Sequence, residues 1–422
     1  MPRTRPLSSR LAAASLFALM TSVAVSGVAA AQTASPAGDA AKAEAPATSA
    51  APCGGDLATF LSGVKTEAVG KGIPADVVDR ALAGAVIDEK VLGRDRAQGV
   101  FKQTFAEFSN RTVSKARLDI GAKKMKEYAS VFARAEEEYG VPAPVITAFW
   151  AMETDFGAVQ GNFNTRNALV TLAHDCRRPE MFRPQLMAAI EMVQHGDLDP
   201  ATTTGAWAGE IGQVQMLPED IIAQGVDGDG DGHVNLKQSS SDAILTAAKF
   251  IKSLGFTKGQ PWIQEVSLPD NLPWEKTGLQ PGMTAGQWFA LGVKPRDGNT
   301  QFGDLAASVV IPQGRKGVAF MTYPNFNIYL EWNQSFIYTT SAAYFATRLA
   351  GAPPYDARNP EPGLNDEAMK VLQTKLDAIG HDVGKIDGIL GSGTRAALQR
   401  EQQRLGIPAD GWATQAVLDA LP

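Results

Sequence analysis

One glutamate, Glu153, lies in the mostly apolar run AFWAMETDFG at residues 148–157. If this run is helical, Phe149, Trp150 and Phe156 share the face of that glutamate, because residues three or four positions apart are neighbours on a helix. A carboxylate among aromatic rings is costly to ionise, so it would keep its proton and could serve as a general acid. The alternative is a buried ion pair with a nearby arginine. On residue type alone, this alternative is favoured.

Acid–base chemistry often uses a second carboxylate, and Asp155 is the nearest candidate. At a spacing of two residues on a helix, however, two side chains point about 200° apart. Asp155 is therefore predicted to be a structural residue of the C-terminal turn. The sequence contains no HExxH, GxSxG, Walker or dinucleotide-binding pattern, so the predicted site depends on one acid.

The segment DGDGDGHVN at residues 227–235 has the spacing of a calcium-binding loop. The residues predicted to bind the ion are Asp227, Asp229, Asp231, His233 through its backbone carbonyl, and Asp242. Position 12 of the loop is Gln238 rather than a bidentate glutamate, so Asp242 is expected to close a longer loop with modest affinity. This would be a structural Ca²⁺ site, and the alternative is a solvated Asp–Gly turn.

Residues 1–31 have the pattern of a signal peptide, with three arginines before an apolar run and small residues near Ala31 for cleavage. The alternative is a retained membrane anchor, because the run is just long enough to span a bilayer. Residues 32–52 are rich in Ala, Pro, Ser and Thr and are predicted to form a disordered tether. We expect an exported protein with no stable membrane span after signal cleavage.

The chain contains two cysteines, Cys53 and Cys176. In an exported protein, two cysteines predict one disulfide, and the alternative is a pair of buried thiols. The bond would tie the beginning of the folded region to the segment that follows the candidate site. Such a long closed loop is expected to contribute a few kcal/mol to stability.

The 422 residues are 44% hydrophobic and 20% charged, which allows two or three globular domains. The formal net charge of −6 argues against nucleic acid as the main partner. Residues 53–350 show mainly helical apolar spacing, interrupted between about 260 and 329 by short β-rich runs such as ASVVIP and KGVAFMTY. A Pro-rich linker follows at 351–363, and residues 364–422 form a separate module.

Two local predictions are specific enough to test. The run KKMKEYASVFARAEEEYGVP is predicted to form one amphipathic helix that ends at Gly140. The run TYPNFNIYL is predicted to form a turn between strands. The fold class is therefore mainly α (α+β), with a small β-containing subdomain inserted in a helical domain.

The C-terminal module combines LQTKLDAIG, the loop DGILGSGT at residues 387–394, ALQREQQ and a late Asp–Gly pair. It resembles the peptidoglycan-binding type 1 module, a three-helix bundle. The alternative is a generic three-helix domain. The resemblance covers the whole module and implies an affinity for the bacterial cell wall.

The larger domain contains YGVPAPVITAFWAMETDFG, GNFNTRNALVTLAHDCRRPEMFRPQLMAAI, GAWAGEIGQVQMLP and VDGDGDGHVNL, in that order. These runs resemble the lytic murein transglycosylase B family over roughly residues 53–349. The family implies a lysozyme-like helical fold, a periplasmic location and cleavage of the MurNAc–GlcNAc β-1,4 bond. The product is a 1,6-anhydro-muramyl end, formed without water and without a cofactor for the chemistry.

The resemblance implies roles for particular residues of this sequence. Glu153 falls on the single catalytic glutamate of the family, which acts first as acid and then as base. The residues that match the substrate-binding positions are Gln215, Asn333, Tyr338 and Trp332, the last where the family commonly has tyrosine. Peptidoglycan glycan strands are the implied partner, and other cell-wall enzymes are candidate partners.

Three residues depart from the family pattern in GAWAGEIGQVQMLP: Ala206 replaces serine, Glu210 a small residue and Met216 phenylalanine. These departures put sugar contacts in doubt more than the acid. Two alternatives to the lytic reaction therefore remain open. One is a hydrolytic muramidase that activates water, and the other is a wall-binding scaffold with impaired catalysis.

Overall fold

The computed structural model describes residues 52–96, 103–279 and 282–422. The predicted signal peptide and all but the last residue of the predicted tether lie outside this range. The helices in the described ranges are α1 (Leu57–Gly70), α2 (Ala75–Leu82), α3 (Glu89–Arg96), α4 (Phe105–Thr112), α5 (Lys115–Glu127), α6 (Ala129–Tyr139), α7 (Ala143–Thr154), α8 (Thr165–His174), α9 (Pro179–His195), α10 (Pro218–Gln224), α11 (Ser240–Ser253), α12 (Ala285–Ala290), α13 (Phe326–Trp332), α14 (Phe336–Leu349), α15 (Asp366–Ala378), α16 (Ser392–Arg404) and α17 (Gln415–Ala420). The strands there are β1 (Phe163–Asn164), β2 (Thr204–Gly205), β3 (Ile263–Ser267), β4 (Met283–Thr284), β5 (Lys294–Pro295), β6 (Ala306–Val310) and β7 (Ala319–Thr322).

Helix α7 occupies the centre of the helical domain. Its sequence APVITAFWAMET is apolar on every side, and such a helix must be covered all round. It packs against α14, α5, α11 and α6, which together bury most of its length. The helix that carries Glu153 is therefore held from several directions at once. None of the described helices is long and apolar enough to cross a membrane.

The inserted subdomain is built on a five-stranded antiparallel sheet in the order β4–β6–β7–β3–β5. Both of its faces are covered, because alternate residues of β6 and β7 enter two different cores. Val309 and Met321 pack in the subdomain's own core, while Val310 and Phe320 pack against the helical domain. This double burial explains why the strands appear in the sequence as continuous apolar runs.

The C-terminal helices α15, α16 and α17 enclose a third, separate core. The 351–363 segment contains no helix or strand but packs against the larger domain, where the ring of Tyr355 lies 4.9 Å from that of Tyr344. The module also docks directly on the β subdomain. Gln399 Nε2 donates to the carbonyl of Thr277 at 3.1 Å, and Ala409 packs in the subdomain's core.

Two local predictions are wrong. The run at residues 123–142 forms the end of α5 and the whole of α6, because the helix is interrupted at Tyr128. The ring of Tyr128 packs edge-on against Trp150. The run TYPNFNIYL leads into helix α13 and not into a hairpin. Phe326 and Tyr329 recur at helical spacing, and both are buried in the main core.

The predicted disulfide is confirmed. Cys53 and Cys176 are bonded, with their Cα atoms 5.3 Å apart at a sequence separation of 123. The bond joins the segment before α1 to the turn after α8, and Gly54 N donates to the carbonyl of His174 beside it at 2.8 Å. This closure holds the beginning of the described chain against the helical domain.

Candidate active site

Glu153 is the penultimate residue of α7, and the helix ends at Thr154. The next two residues, Asp155 and Phe156, have φ values of 52° and 60°, so the backbone turns into the left-handed region. Phe156 is therefore not on the helical face of Glu153, although Phe149 and Trp150 are residues of the same helix. Asp155 is a C-terminal-turn residue, as predicted, and its Oδ1 accepts from Arg117 Nε at 2.9 Å.

The carboxylate of Glu153 is buried, with the residue 6% exposed. Its Oε1 accepts a hydrogen bond from Trp332 Nε1 at 2.8 Å and a second, short one from the hydroxyl of Tyr338. Both donors are neutral side chains, in contrast to the arginine of the ion-pair alternative.

Tyr338 remains a donor over the whole physiological pH range. Burial raises the pKa of its hydroxyl well above the ordinary value, and the nearby charge of Glu153 adds to the effect. The hydroxyl cannot act as a base under those conditions. It instead orients the carboxylate and stabilises its ionised form.

Trp332, which the resemblance assigns to substrate binding, lies in the core. It is 3% exposed, and its ring stacks on Phe149 with centroids 4.2 Å apart. Phe250 contacts it edge-on at 5.5 Å. The indole therefore presents little ring surface to a sugar, and its N–H on Glu153 is its contribution to the site.

The turn between α13 and α14 brings these two donors together. Asn333 directly follows α13, and its side-chain oxygen accepts from Ser335 N at 2.9 Å. The hydroxyl of Thr339 donates to the carbonyl of Asn333 at 2.6 Å and closes the turn. Asn333 is fully buried, so the structure assigns it a part in holding this turn, while substrate contact stays a prediction.

A loop at residues 204–217 is fastened to the end of α7. The hydroxyl of Thr154 donates to the carbonyl of Gln213 at 2.5 Å. Gln215 has a φ of 49°, and its amide nitrogen donates to the carbonyl of Gly212 at 2.8 Å. Its amide oxygen accepts no hydrogen bond from the described residues and is the atom left to meet a sugar hydroxyl. That substrate contact stays a prediction.

The three departures from the family pattern lie within this same loop. The backbone of Met216 pairs with that of Ile211 through two hydrogen bonds of 2.8 and 3.1 Å. The side chain of Met216 is buried in the main core. Glu210 is buried too, and its carbonyl accepts from Ala206 N at 2.9 Å. At Gly205 an added Cβ would lie 2.0 Å from that carbonyl, so only glycine fits there.

Arg117 is the site residue that the sequence did not predict. It lies on α5, and besides Asp155 it donates to the carbonyls of Thr112 at 2.8 Å and of Ala151. These bonds tie α5 to the last turn of α7 beside Glu153. No local signal marks it, because an arginine on an amphipathic helix usually faces solvent.

The acidic loop brings part of its predicted ligand set together. The carboxylates of Asp227, Asp229 and Asp242 have oxygens within 4.8 Å of one another. Asp231 is outside this group, and its Oδ1 accepts from His233 N at 2.9 Å. The inclusion of Asp242 supports the longer loop, and three carboxylates with hard oxygens suit Ca²⁺. The roles of Asp231 and of the His233 carbonyl stay predictions.

Residues 56–347 match the family model described as transglycosylase SLT domain, and residues 365–421 match the one described as putative peptidoglycan binding domain. The first match covers more than half of the sequence, so this chain belongs to the transglycosylase SLT family. The resemblances to a lytic transglycosylase and to a peptidoglycan-binding module are confirmed.

Among individual proteins, the chain is 30% identical over 214 residues to membrane-bound lytic murein transglycosylase B of Escherichia coli (strain K12). That match spans 50% of this chain and 57% of the relative. SltB3 from Pseudomonas aeruginosa in complex with NAG-NAM-pentapeptide is 33% identical, with a TM-score of 0.80 over 87% of this chain and 100% of that one. Slt35 from Escherichia coli in complex with calcium is 25% identical, with a TM-score of 0.60 over 72% and 98% of the two chains. The predicted lysozyme-like, mainly helical fold with a small sheet subdomain is confirmed.

Proposed function

We propose that this protein is a peptidoglycan lytic transglycosylase that cleaves the MurNAc–GlcNAc β-1,4 bond and leaves a 1,6-anhydroMurNAc end. The observation that carries the proposal is the buried Glu153, whose Oε1 accepts from both Trp332 and Tyr338. Membership in the transglycosylase SLT family supports it, as does the lytic murein transglycosylase relative.

One glutamate is sufficient for this reaction. Glu153 gives its proton to the glycosidic oxygen, and the bond between that oxygen and C1 breaks. The resulting carboxylate then takes the proton of the C6 hydroxyl, whose oxygen forms the new bond to C1. The acid is regenerated and no water is consumed, so the usual pair of carboxylates is not needed.

The two hydrogen bonds on Oε1 suit both halves of this cycle. They stabilise the carboxylate that forms during the first proton transfer. They also hold the group in one orientation, so that the same oxygen releases and recovers the proton. A hydrolytic muramidase is the second candidate, and it would need a group to activate water. The third candidate is a wall-binding scaffold with impaired catalysis, which the departures at Ala206, Glu210 and Met216 favour.

The remaining expectations follow from this proposal. The protein would act in the periplasm after removal of residues 1–31, on glycan strands held in part by the C-terminal module. The chemistry would need no cofactor, and a structural Ca²⁺ would be held by Asp227, Asp229 and Asp242. Its charge would offset the mutual repulsion of these carboxylates and stabilise the loop.

The test is digestion of purified sacculi, followed by mass analysis of the released ends. The expected product is one water lighter than the hydrolytic product. Glu153→Gln should abolish release but keep the melting temperature, because the amide oxygen still accepts from Trp332 and Tyr338. Glu331→Gln, at an exposed position of α13, is the matched control and should retain activity. Release of hydrolytic ends instead of anhydro ends, or activity in Glu153→Gln, would refute the proposal.

A further inference from the structure

A cavity of about 440 Å³ lies where the C-terminal module meets the β subdomain and the beginning of α14. This volume is within the usual range for small-molecule sites, which often occur between domains. Its walls are mostly apolar, with Ile311 and Phe336 on one side and Ala396 on the other. Four charged residues line it: Glu275 and Lys276, which are exposed, Asp410, which is buried, and Arg395, which is partly buried.

The guanidinium of Arg395 is held in a defined orientation. It lies between two rings, 5.4 Å from the centre of Phe336 and 5.6 Å from that of Trp412. Its Nη2 donates to the carbonyl of Pro312 at 2.7 Å, whereas its buried Nε has no hydrogen-bond partner among the described residues. A planar cation fixed between two rings is prepared to bind an anion.

No protein carboxylate among the described residues forms a direct ion pair with this cation, although Asp410 lines the same cavity and its charge acts on Arg395. None of the ion pairs within the described ranges involves Arg395, and the nearest acid to affect it, Asp410, has both oxygens engaged. They accept from Gln402 Nε2 at 2.9 Å and from Arg315 N at 3.1 Å. Burial lowers the pKa of Arg395 to about 10, which still leaves it charged at neutral pH. A partly buried cation that has no direct ion pair gains stability when an anion binds beside it.

The cavity is close to the site that contains Glu153. Phe336 lines the cavity, and Tyr338, two residues later in the first turn of α14, donates to Glu153. The two regions are therefore separated by about the thickness of one helix, roughly 10 Å. An extended peptide of five residues reaches about 17 Å, which is enough to pass from one to the other.

We infer that this cavity binds the free carboxylate end of the short peptide carried by the glycan substrate, with the guanidinium of Arg395 on the carboxylate. The apolar walls suit small side chains, and the planar cation suits a carboxylate in a two-point contact. This inference rests on the proposed function. It adds that the interface between the two domains selects strands that still carry their peptides.

The test uses the full chain with Glu153→Gln, so that no turnover occurs during titration calorimetry. The probes are a soluble disaccharide-pentapeptide, the same compound with an amidated C-terminus, and the peptide-free disaccharide. The free carboxylate should bind at least tenfold more tightly than the amide, because a charged hydrogen bond accounts for about a ten- to hundredfold difference. Equal binding of these two probes would overturn the inference.

Three further variants locate the effect. Arg395→Gln should remove the preference for the free carboxylate. Ala396→Phe keeps the arginine but fills the cavity from an exposed position, so it should remove the same preference even if the first variant folds poorly. Arg400→Gln, on the exposed side of the same helix, is the control and should bind all three probes as before. A preference that survives Ala396→Phe would place the carboxylate elsewhere.

The two proposals fail in different experiments. Release of anhydro ends from peptide-free glycan strands depends on the site at Glu153 and not on this cavity. If the otherwise unaltered chain releases them but shows no preference that depends on Arg395, this inference alone is wrong. If it releases no anhydro ends from any substrate, the proposed function is wrong.

Discussion

Replacing Tyr338 by phenylalanine tests whether hydrogen bonding to Oε1 of Glu153 contributes to catalysis. The change removes one hydroxyl and leaves the buried ring in place. The short hydrogen bond to the carboxylate is lost, whereas the bond from Trp332 Nε1 at 2.8 Å remains. The carboxylate should then be less stable than before, and the acid form should be favoured.

The expected magnitude follows from the kind of bond that is lost. A hydrogen bond to a charged group contributes about 1.5–3 kcal/mol. Each pH unit corresponds to about 1.4 kcal/mol, so the acid form should persist to a pH about 1–2 units higher. Activity requires the acid form, and the alkaline limb of the pH profile should therefore move upward. The rate at the optimum should fall by about tenfold, because the carboxylate formed in the transition state is less stable.

The assay is release of anhydro ends from soluble glycan strands, measured over a range of pH. Tyr329→Phe is the matched control, because Tyr329 is buried in the same aromatic cluster and stacks on Phe149 at 4.8 Å. Its hydroxyl has no hydrogen-bond partner among the described residues. That control should keep the pH profile and should gain stability, because removing an unsatisfied buried hydroxyl is favourable.

Two results would refute this reasoning. An unchanged alkaline limb in Tyr338→Phe would mean that the hydroxyl does not affect the ionisation of Glu153. An equal loss of activity in Tyr329→Phe would mean that the cluster acts through packing alone. The ionisation of Tyr338 cannot itself produce the limb, because burial raises the pKa of that hydroxyl well above its ordinary value.

Two other predictions concern stability. Calcium at a hundredfold excess over its dissociation constant should stabilise the protein by about 2.7 kcal/mol and raise the melting temperature by several degrees. No gain in the unaltered protein would favour the solvated-turn interpretation. Asp229→Asn, at an exposed carboxylate that accepts no hydrogen bond from the described residues, should remove the gain, and a gain that persists would mean that calcium binds elsewhere. Replacing Cys176 by serine removes the disulfide, which joins residues at a sequence separation of 123. The free energy of unfolding, measured by chemical denaturation, should fall by about 2–5 kcal/mol. An unchanged value would mean that the bond does not constrain the unfolded chain.

Features that depend on local chemistry could be predicted from the sequence. The run around Glu153 is apolar on every side, and it forms the central helix α7. The two cysteines of the chain form the expected disulfide. The β-rich runs mark the inserted subdomain, and the Pro-rich segment precedes a separate C-terminal core. Periodicity and residue type are sufficient in these cases, because each element buries the face that its own sequence makes apolar.

Features that depend on contacts between distant segments were decided only by tertiary structure. Trp332 and Tyr338 meet Glu153 across 179 and 185 residues of sequence, and no local pattern encodes that both donors act on one oxygen. The left-handed turn at Asp155 is stabilised by Arg117, which lies on another helix. The sequence by itself therefore predicted which residue is the acid, while packing decided how its carboxylate is held. The reason is physical: periodicity identifies which face of an element is buried, but not which partner covers it.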